Sequence, residues 1–452
     1  MSGGLRESRY NVWVERDGAK YVYNGISGSL LRVPAPQHEA LTRFLAGEDA
    51  SGCPPKLLEQ MAVGRMLVAD DADEVATLAL RYELSRHDPS HFGLTLVTSL
   101  GCNFDCPYCF EAKHPSIMDE AVTAAILDLL DDRLPALTSF SVTWFGGEPL
   151  VGKAPLLALS DAFIERCDRA GVDYAASITT NGYLLDERTC IELAERRVGH
   201  TQVCLDGPPE IHDRMRPLAN GKGTFWRIVE NLHHAVAHLD VSVRVNVDTA
   251  NYAHAEELLQ ILSREGLSGK LTVTLGQIVR VDDGAPSPST SYQGACFTNA
   301  GFARADLEFH ELAQRYGFGG PSLAQPLATP CTAVRAQELV IGSKGEVYKC
   351  WESVGNAREQ IGTIWDYSVE DGRMRRWLAY DPFSDAECRS CIALPVCMGG
   401  CAHHAMDLLQ RENRCDPFRH TYREQIAAFV DAAGDRTSVV GPRELARPVD
   451  RR

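Results

Sequence analysis

The sequence has no long apolar run. Nothing in its 452 residues approaches the length needed to cross a bilayer. The first ten residues, MSGGLRESRY, carry no apolar signal core, so the expected location is the cytoplasm. Basic residues are in the minority, 45 Lys and Arg against 61 Asp and Glu, for a formal net charge of −16. That balance argues against a broad phosphate-binding surface, because nucleic-acid affinity rests mainly on Lys and Arg. Neither nucleic acid nor membrane is an expected partner. No internal repeat stands out beyond an alternation of strand-like and helix-like segments. What the chain does not lack is cysteine. It has fifteen, a high count for a reducing compartment, where structural disulfides are rare. Three lie at 102–109 and seven at 331–415, and such clustering points to metal binding or catalysis. Of the scattered ones (Cys53, Cys167, Cys190, Cys204, Cys296), Cys167, Cys190 and Cys204 sit in apolar periodic segments and are expected as small core residues.

Residues 1–90 read as a separate small α+β unit. NVWVE, KYVYN and SLLRV are strand-like, the first two joined around Asp17-Gly18, and helical patterns follow near 37–46, 54–62 and in DADEVATLALRYELSRH. From 91 to 281 six strands alternate with helices: GLTLVTSL, FSVTWF, YAASITT, TQVCLD, VSVRVNVD and KLTVTLGQIV. Ser116 is expected to cap the first of these helices, which carries Val122, Ile126, Leu129 and Leu130 on one face. Parallel β/α units of this number form a partial barrel or an open doubly wound sheet, with chemistry at the C-terminal ends of the strands. Residues 282–330 begin with a Pro/Ser/Gly-rich linker. Residues 331–435 are cysteine-rich with short strands and turns, and 436–452 read as a polar tail.

The stretch CNFDCPYC follows the first strand of the alternating region, on the loop at the mouth of the sheet. Three thiolates, Cys102, Cys106 and Cys109, suit a catalytic zinc with a water, or three irons of a [4Fe–4S] cluster with the fourth left open. This stretch resembles the signature of the radical S-adenosylmethionine (SAM) superfamily. The resemblance implies that SAM fills the open iron and, on reduction, yields a 5′-deoxyadenosyl radical. It implies further SAM-binding residues: Tyr108 beside the adenine, Gly146, Gly147, Glu148 and Pro149 in WFGGEP, Thr180 and Asn181 in TTNG, and Arg216 in CLDGPPEIHDRMRP. Cys204 stands where the similar stretches have serine. The alternative for Arg216 is a structural salt bridge.

The later cysteines are similar to a SPASM domain: C-x13-G-x4-C from Cys331 through Gly345 to Cys350, then C-x2-C-x5-C-x3-C, then Cys415. ELVIGSKGEVYKC reads as a hairpin that places Cys350 at a strand end. The resemblance implies two auxiliary [4Fe–4S] clusters, three in all. Cys331, Cys350 and Cys401 would hold the first, and Cys388, Cys391, Cys397 and Cys415 the second. No eighth cysteine lies between Cys331 and Cys350, so Cys296 reaches across, a substrate thiolate enters, or one iron stays open. Structural zinc is the alternative for the region. His403 and His404 are expected as partly exposed helix residues, and Trp351 as packing around the cluster.

The implied fold is a partial (β/α)6 radical SAM barrel with an N-terminal winged-helix-like unit and a C-terminal SPASM domain. The implied activity is maturation of a ribosomally made peptide by thioether or carbon–carbon cross-linking, epimerisation or backbone excision. A leader-bearing precursor peptide and a reductant such as flavodoxin or ferredoxin are the implied partners. An anaerobic sulfatase-maturing enzyme and an iron–sulfur redox protein without SAM chemistry are the alternatives. No side chain is singled out as a catalytic base.

Overall fold

A computed structural model describes residues 4–48, 52–280, 287–408 and 410–434. The polar tail and the first five residues of the Pro/Ser/Gly-rich stretch lie outside these residues. The N-terminal unit contains β1 (Leu5–Glu7), β2 (Asn11–Arg16), β3 (Ala19–Asn24), β4 (Ser29–Val33), α1 (His38–Leu45), α2 (Pro55–Val63), β5 (Leu67–Ala69) and α3 (Glu74–Arg86). Strands β2, β3 and β4 form an antiparallel meander, with Asp17 and Gly18 at positive φ in the tight turn, as a two-residue hairpin requires. Strands β1 and β5 form a small second sheet.

The alternating region gives β6 (His91–Ser99), α4 (Glu120–Arg133), β7 (Ser139–Gly146), α5 (Lys153–Ala170), β8 (Asp173–Thr180), α6 (Glu187–Glu195), β9 (Val198–Cys204), α7 (Pro209–Met215), α8 (Phe225–His238), β10 (Asp240–Val247), α9 (Ala255–Arg264) and β11 (Thr272–Gln277). Strands β6 to β11 are parallel and adjacent in chain order. A doubly wound sheet reverses its order at a switch point, and this one does not, so the arrangement is barrel-like. Each strand has two distinct faces. On β7, Phe140, Val142 and Trp144 are buried in the large core with Leu156, Leu159 and Phe163 of α5. The intervening positions are largely polar: Thr143 bonds Ser177 at 3.2 Å, His91 bonds Ser139 at 2.9 Å, and Arg244 donates to Asn246 at 3.0 Å. The helix-covered face is thus dry and the opposite face hydrophilic.

The remainder holds α10 (Asn299–Arg315), β12 (Glu338–Ile341), β13 (Glu346–Tyr348), β14 (Gly362–Thr363), α11 (Gly372–Leu378), α12 (Ala386–Ser390), α13 (Leu394–Cys397), α14 (Ala402–Met406) and α15 (Phe418–Ala433). The expected hairpin is β12–β13. It also continues the main sheet, because β12 runs parallel to β6 from Glu338↔Gly93 to Ile341↔Leu96. The N-terminal meander packs on the cysteine-rich region: Val12, Tyr23 and Leu30 share a core with Ala393, Val396, Cys397, Phe418 and Ile426. One cap differs from expectation. Asp119, not Ser116, accepts from Val122 N at the start of α4. Ser116 Oγ instead accepts from Leu100 N and meets Ser343, tying the loop after β6 to the β12–β13 turn.

Candidate active site and metal centres

All fifteen cysteines are free thiols, so no disulfide explains their clustering. Cys102, Cys106 and Cys109 lie on the loop that leaves β6 at its C-terminal end. That loop is held from below by backbone. Asp105 N donates to Pro217 O and Ala219 N to Asn103 O, both at 2.9 Å, and Phe104 bridges Leu218. The segment after Arg216 therefore fixes the cysteine loop. Phe104 N points at Cys102 Sγ, 3.4 Å away. Burial pushes the thiol of Cys102 up to about 11 and that of Cys109 to about 12. A cation bound there would displace those protons, as metal binding to thiols does.

The GGEP turn is stitched to the same loop. Gly147 N donates to Ser99 O and Glu148 N to Gly101 O, both at 3.1 Å. Gly146 has φ +134°, and a Cβ there would fall 2.3 Å from Ser99 O; one on Gly147 would fall 2.6 Å from Leu100 O. Both glycines are needed for this backbone approach. Glu148 is fully buried, and its carboxylate accepts from Thr180 Oγ1 and Asn181 N at 2.7 Å and from Leu150 N at 3.0 Å. It thereby pins the end of β7 to the end of β8. Asn181 Nδ2 donates to Asn103 Oδ1 at 2.7 Å and lies 3.9 Å from Cys102 Sγ.

A second constellation spans the ends of β9 and β10. Arg216 Nη1 donates to Tyr108 Oη at 2.5 Å and lies 3.7 Å from Asp206, which is fully buried. Tyr108 in turn bonds the Asp206 carboxylate, and Asn246 N and Nδ2 hold the other Asp206 oxygen at 3.0 and 3.1 Å. His212 accepts from Asp206 N through Nδ1 at 3.1 Å, and burial holds its pKa well below 6.5. The sequence singled out Tyr108 and Arg216 but gave Asp206 no role, although it lies inside the quoted CLDGPP. Asn246 had no signal of its own. Cys204 is buried as expected, but it faces Cys106, Tyr108 and Arg216 closely enough to interact electrostatically with each.

Three buried polar atoms around these groups have no hydrogen-bond partner among the described residues: Asn103 Nδ2, Arg216 Nε and Glu111 Oε2. Burial raises the Glu111 carboxyl to about 8. Two donors and one acceptor left over beside three thiols form the complement of an α-amino-acid group, so these residues fit SAM and its iron–sulfur cluster.

In the C-terminal region Cys388, Cys391, Cys397 and Cys415 line one small cavity with Leu394, Gly399 and Arg419. Arg419 Nη1 donates to Cys415 Sγ at 3.0 Å. Nearby, Arg414 bonds Asp385 at 2.9 Å and Glu387 at 2.8 Å. Gly400 must be glycine: its φ is +72°, and a Cβ would fall 1.8 Å from Arg414 O. Four sulfurs around one small space suit a fully ligated cluster. Cys331 and Cys350 pack with Tyr82, Trp377, Met398 and Ala402, and both interact electrostatically with Cys401. Cys296 lies with Gly294, Asp248, Tyr292 and Arg280 instead.

Two expectations are corrected here. His404 is buried rather than partly exposed, and His403 Nδ1 bonds Glu352 at 2.9 Å, so both histidines face the cysteines. Trp351 is 40% exposed, so it packs only in part, its ring tilted against Phe145.

Residues 96–262 match the family model of the radical SAM superfamily. That stretch, which holds the cysteine loop and the GGEP turn, is therefore a radical SAM domain. The cofactors that go with such a domain are SAM and a [4Fe–4S] cluster, which the residues described above fit. It is 24% identical over 366 residues to a cysteine-type anaerobic sulfatase-maturating enzyme of Clostridium novyi, covering 74% of this chain and 95% of that protein. Alignments to two other curated relatives span 37% and 39% of their lengths. The fold of native anSMEcpe with bound AdoMet and Cp18Cys peptide superposes with a TM-score of 0.57 at 18% identity, over 75% of this chain and 99% of that one. Streptococcus suis SuiB bound to precursor peptide SuiA superposes with a TM-score of 0.52 at 14% identity, over 91% of this chain and 99% of that one. The radical SAM α/β fold with a cysteine-rich C-terminal region, implied by the motifs, is therefore the fold observed. No helix among the described residues is long and apolar enough to cross a membrane.

Proposed function

We propose that this radical SAM enzyme matures a ribosomally made precursor peptide, a thioether or carbon–carbon cross-link being the modification best matched to it. The observation that carries the reading is the N-terminal unit. The anSMEcpe fold accounts for 75% of this chain although it is itself covered almost entirely, whereas the peptide-bound SuiB fold accounts for 91%. A small antiparallel meander with edge strands is a surface to which an extended leader peptide adds as a further strand.

Cys102, Cys106 and Cys109 would hold three irons of the SAM cluster. Cys388, Cys391, Cys397 and Cys415 would hold a second cluster, and Cys331, Cys350 and Cys401 a third. Bound together, SAM and the reduced cluster supply a carbon radical that removes a hydrogen atom from an unactivated C–H bond. The protein contributes placement. Arg216 presents its guanidinium to a carboxylate, with Asp206 and Tyr108 fixing its orientation. Glu148 is engaged with Thr180 and Asn181, so the acceptors left for an ammonium are the backbone carbonyls of the GGEP turn and the carboxylate of Glu111. Tyr108 and Asn181 border the space beside the cysteine loop. The hydrophilic inner face of the sheet suits a peptide, whose backbone brings a donor and an acceptor per residue.

The test is co-expression, under low oxygen, with a short peptide encoded beside this gene, followed by mass spectrometry. Loss of two hydrogens per event, located by fragmentation, supports cross-linking. A larger loss means excision, and deuterium uptake from heavy water without other change means epimerisation. A second reading, sulfatase maturation, is favoured by the alignment over 95% of the Clostridium novyi relative. It predicts an aldehyde at a cysteine or serine of a sulfatase peptide, captured by a hydrazide, and no change in the neighbouring peptide.

A further inference from the structure

Cys331, Cys350 and Cys401 form a three-thiol group in a chain with no cysteine left to complete it. Cys388, Cys391, Cys397 and Cys415 share their own cavity. Cys167 and Cys190 are fully buried in the barrel core, and Cys53 is buried within the N-terminal unit. Cys204 faces Cys106, and Cys296 lies beside Asp248 and Tyr292. What the fold brings to the three thiols is a carboxylate. Glu352 follows Cys350 by two residues, on the short turn that begins there. Its oxygen, Cys350 Sγ and a His403 ring nitrogen all lie within 4.8 Å of one another. A second set, Glu352, Cys401 Sγ and His404, meets the same limit. The carboxylate thus lies within reach of two of the three sulfurs.

Its own surroundings hold it there. Glu352 Oε2 lies 2.9 Å from His403 Nδ1 and 3.7 Å from His404 Nε2, and His404 Nδ1 reaches Asn413 O at 3.3 Å. Both imidazoles are mostly shielded from water. Carboxylates that bind metals are characteristically oriented by such outer hydrogen bonds. One imidazole thus bonds the Glu352 carboxylate and the other stands just beyond hydrogen-bond distance of the same oxygen.

We propose that Glu352 is the fourth protein ligand of the iron–sulfur cluster held by Cys331, Cys350 and Cys401, with His403 and His404 as positioning residues. This rests on the assignment of a cluster to those cysteines, and the experiment separates the two claims. The full-length chain is prepared with Cys102, Cys106 and Cys109 all replaced by Ala, so that only the later cysteines load, and is reconstituted anaerobically with ⁵⁷Fe. About eight irons per chain uphold two later clusters. About four or none overturn the cluster assignment, whatever Glu352 does.

In that background, Mössbauer spectra are compared for the parent, Glu352→Gln and Glu352→Cys. One iron site in eight is expected to have an oxygen-ligand signature in the parent and to lose it in Glu352→Cys, where all eight become thiolate-like. ¹³C-cyanide is expected to couple to a reduced cluster in Glu352→Gln and not in the parent. Should Glu352→Gln load only about four irons, Glu352→Cys decides: eight irons with a uniform thiolate spectrum support the proposal. A parent that binds cyanide as readily as Glu352→Gln, or a Glu352→Cys spectrum unchanged from the parent, overturns it.

Discussion

Cys102, Cys106 and Cys109 come from one short loop, whereas Cys388, Cys391, Cys397 and Cys415 come from separate turns that converge on one cavity. The polar atoms around the first group include donors and an acceptor without partners. Those around the second are engaged: Arg419 with Cys415 and Glu387, Arg414 with Asp385 and Glu387. Unsatisfied buried groups mark a place finished by something from outside. Polar groups already satisfied by the chain's own ion pairs mark a place that needs no further partner from outside. The first group is therefore organised for a reactant, the second for permanence and for holding the N-terminal meander.

The comparison breaks if the two groups respond alike to loss of a thiol. Cys106→Ala is expected to abolish SAM cleavage, read as 5′-deoxyadenosine by chromatography, and to remove about four irons per chain. Its thermal midpoint should barely change. Cys397→Ala is expected to lose a similar amount of iron while retaining SAM cleavage. It should destabilise the fold by on the order of 5 kcal/mol, because cluster binding there is folding free energy. Hydrogen exchange should quicken in β2–β4, whose core includes Cys397.

Arg216→Ala sharpens the comparison at the first group. It strands Asp206 in a buried site, at about 3–5 kcal/mol, and weakens SAM binding in equilibrium dialysis. Arg216→Lys should recover stability better than SAM affinity, because a lysine cannot reproduce the fork. Gly147→Ala should cost about 1–3 kcal/mol by chemical denaturation, since its new methyl meets the Leu100 carbonyl. Asp119→Ala removes a helix cap far from either thiol group, and about 1 kcal/mol is expected with SAM binding unchanged.

What was legible in the chain was local or periodic. The six strands, their helices and the β12–β13 hairpin all announce themselves within a dozen residues. The cysteine spacings do the same for both groups. Contacts across the chain left no trace of that kind. Tyr108 and Asp206 meet over 98 residues, and His403 meets Glu352 over 51. Adjacent histidines on a short helix read as surface because nothing nearby in sequence shows the carboxylate that draws them inward. Helix α10 escaped for another reason. Phe302, Ala305 and Phe309 carry helical spacing, but they follow a stretch whose Pro, Ser and Gly content dominates the composition. The addition of β12 beside β6 was likewise invisible, since strand neighbours far apart in sequence are set by the assembled sheet.

That addition has a consequence for electrons. Backbone rungs from Glu338↔Gly93 to Ile341↔Leu96 bind β12, whose hairpin partner β13 leads to Cys350, directly to the strand that launches the Cys102 loop. The separation between those two thiol groups is thus fixed by one hydrogen-bonded lattice rather than by a tether. Tunnelling rates fall steeply with separation, so a shared lattice holds that rate constant from one turnover to the next.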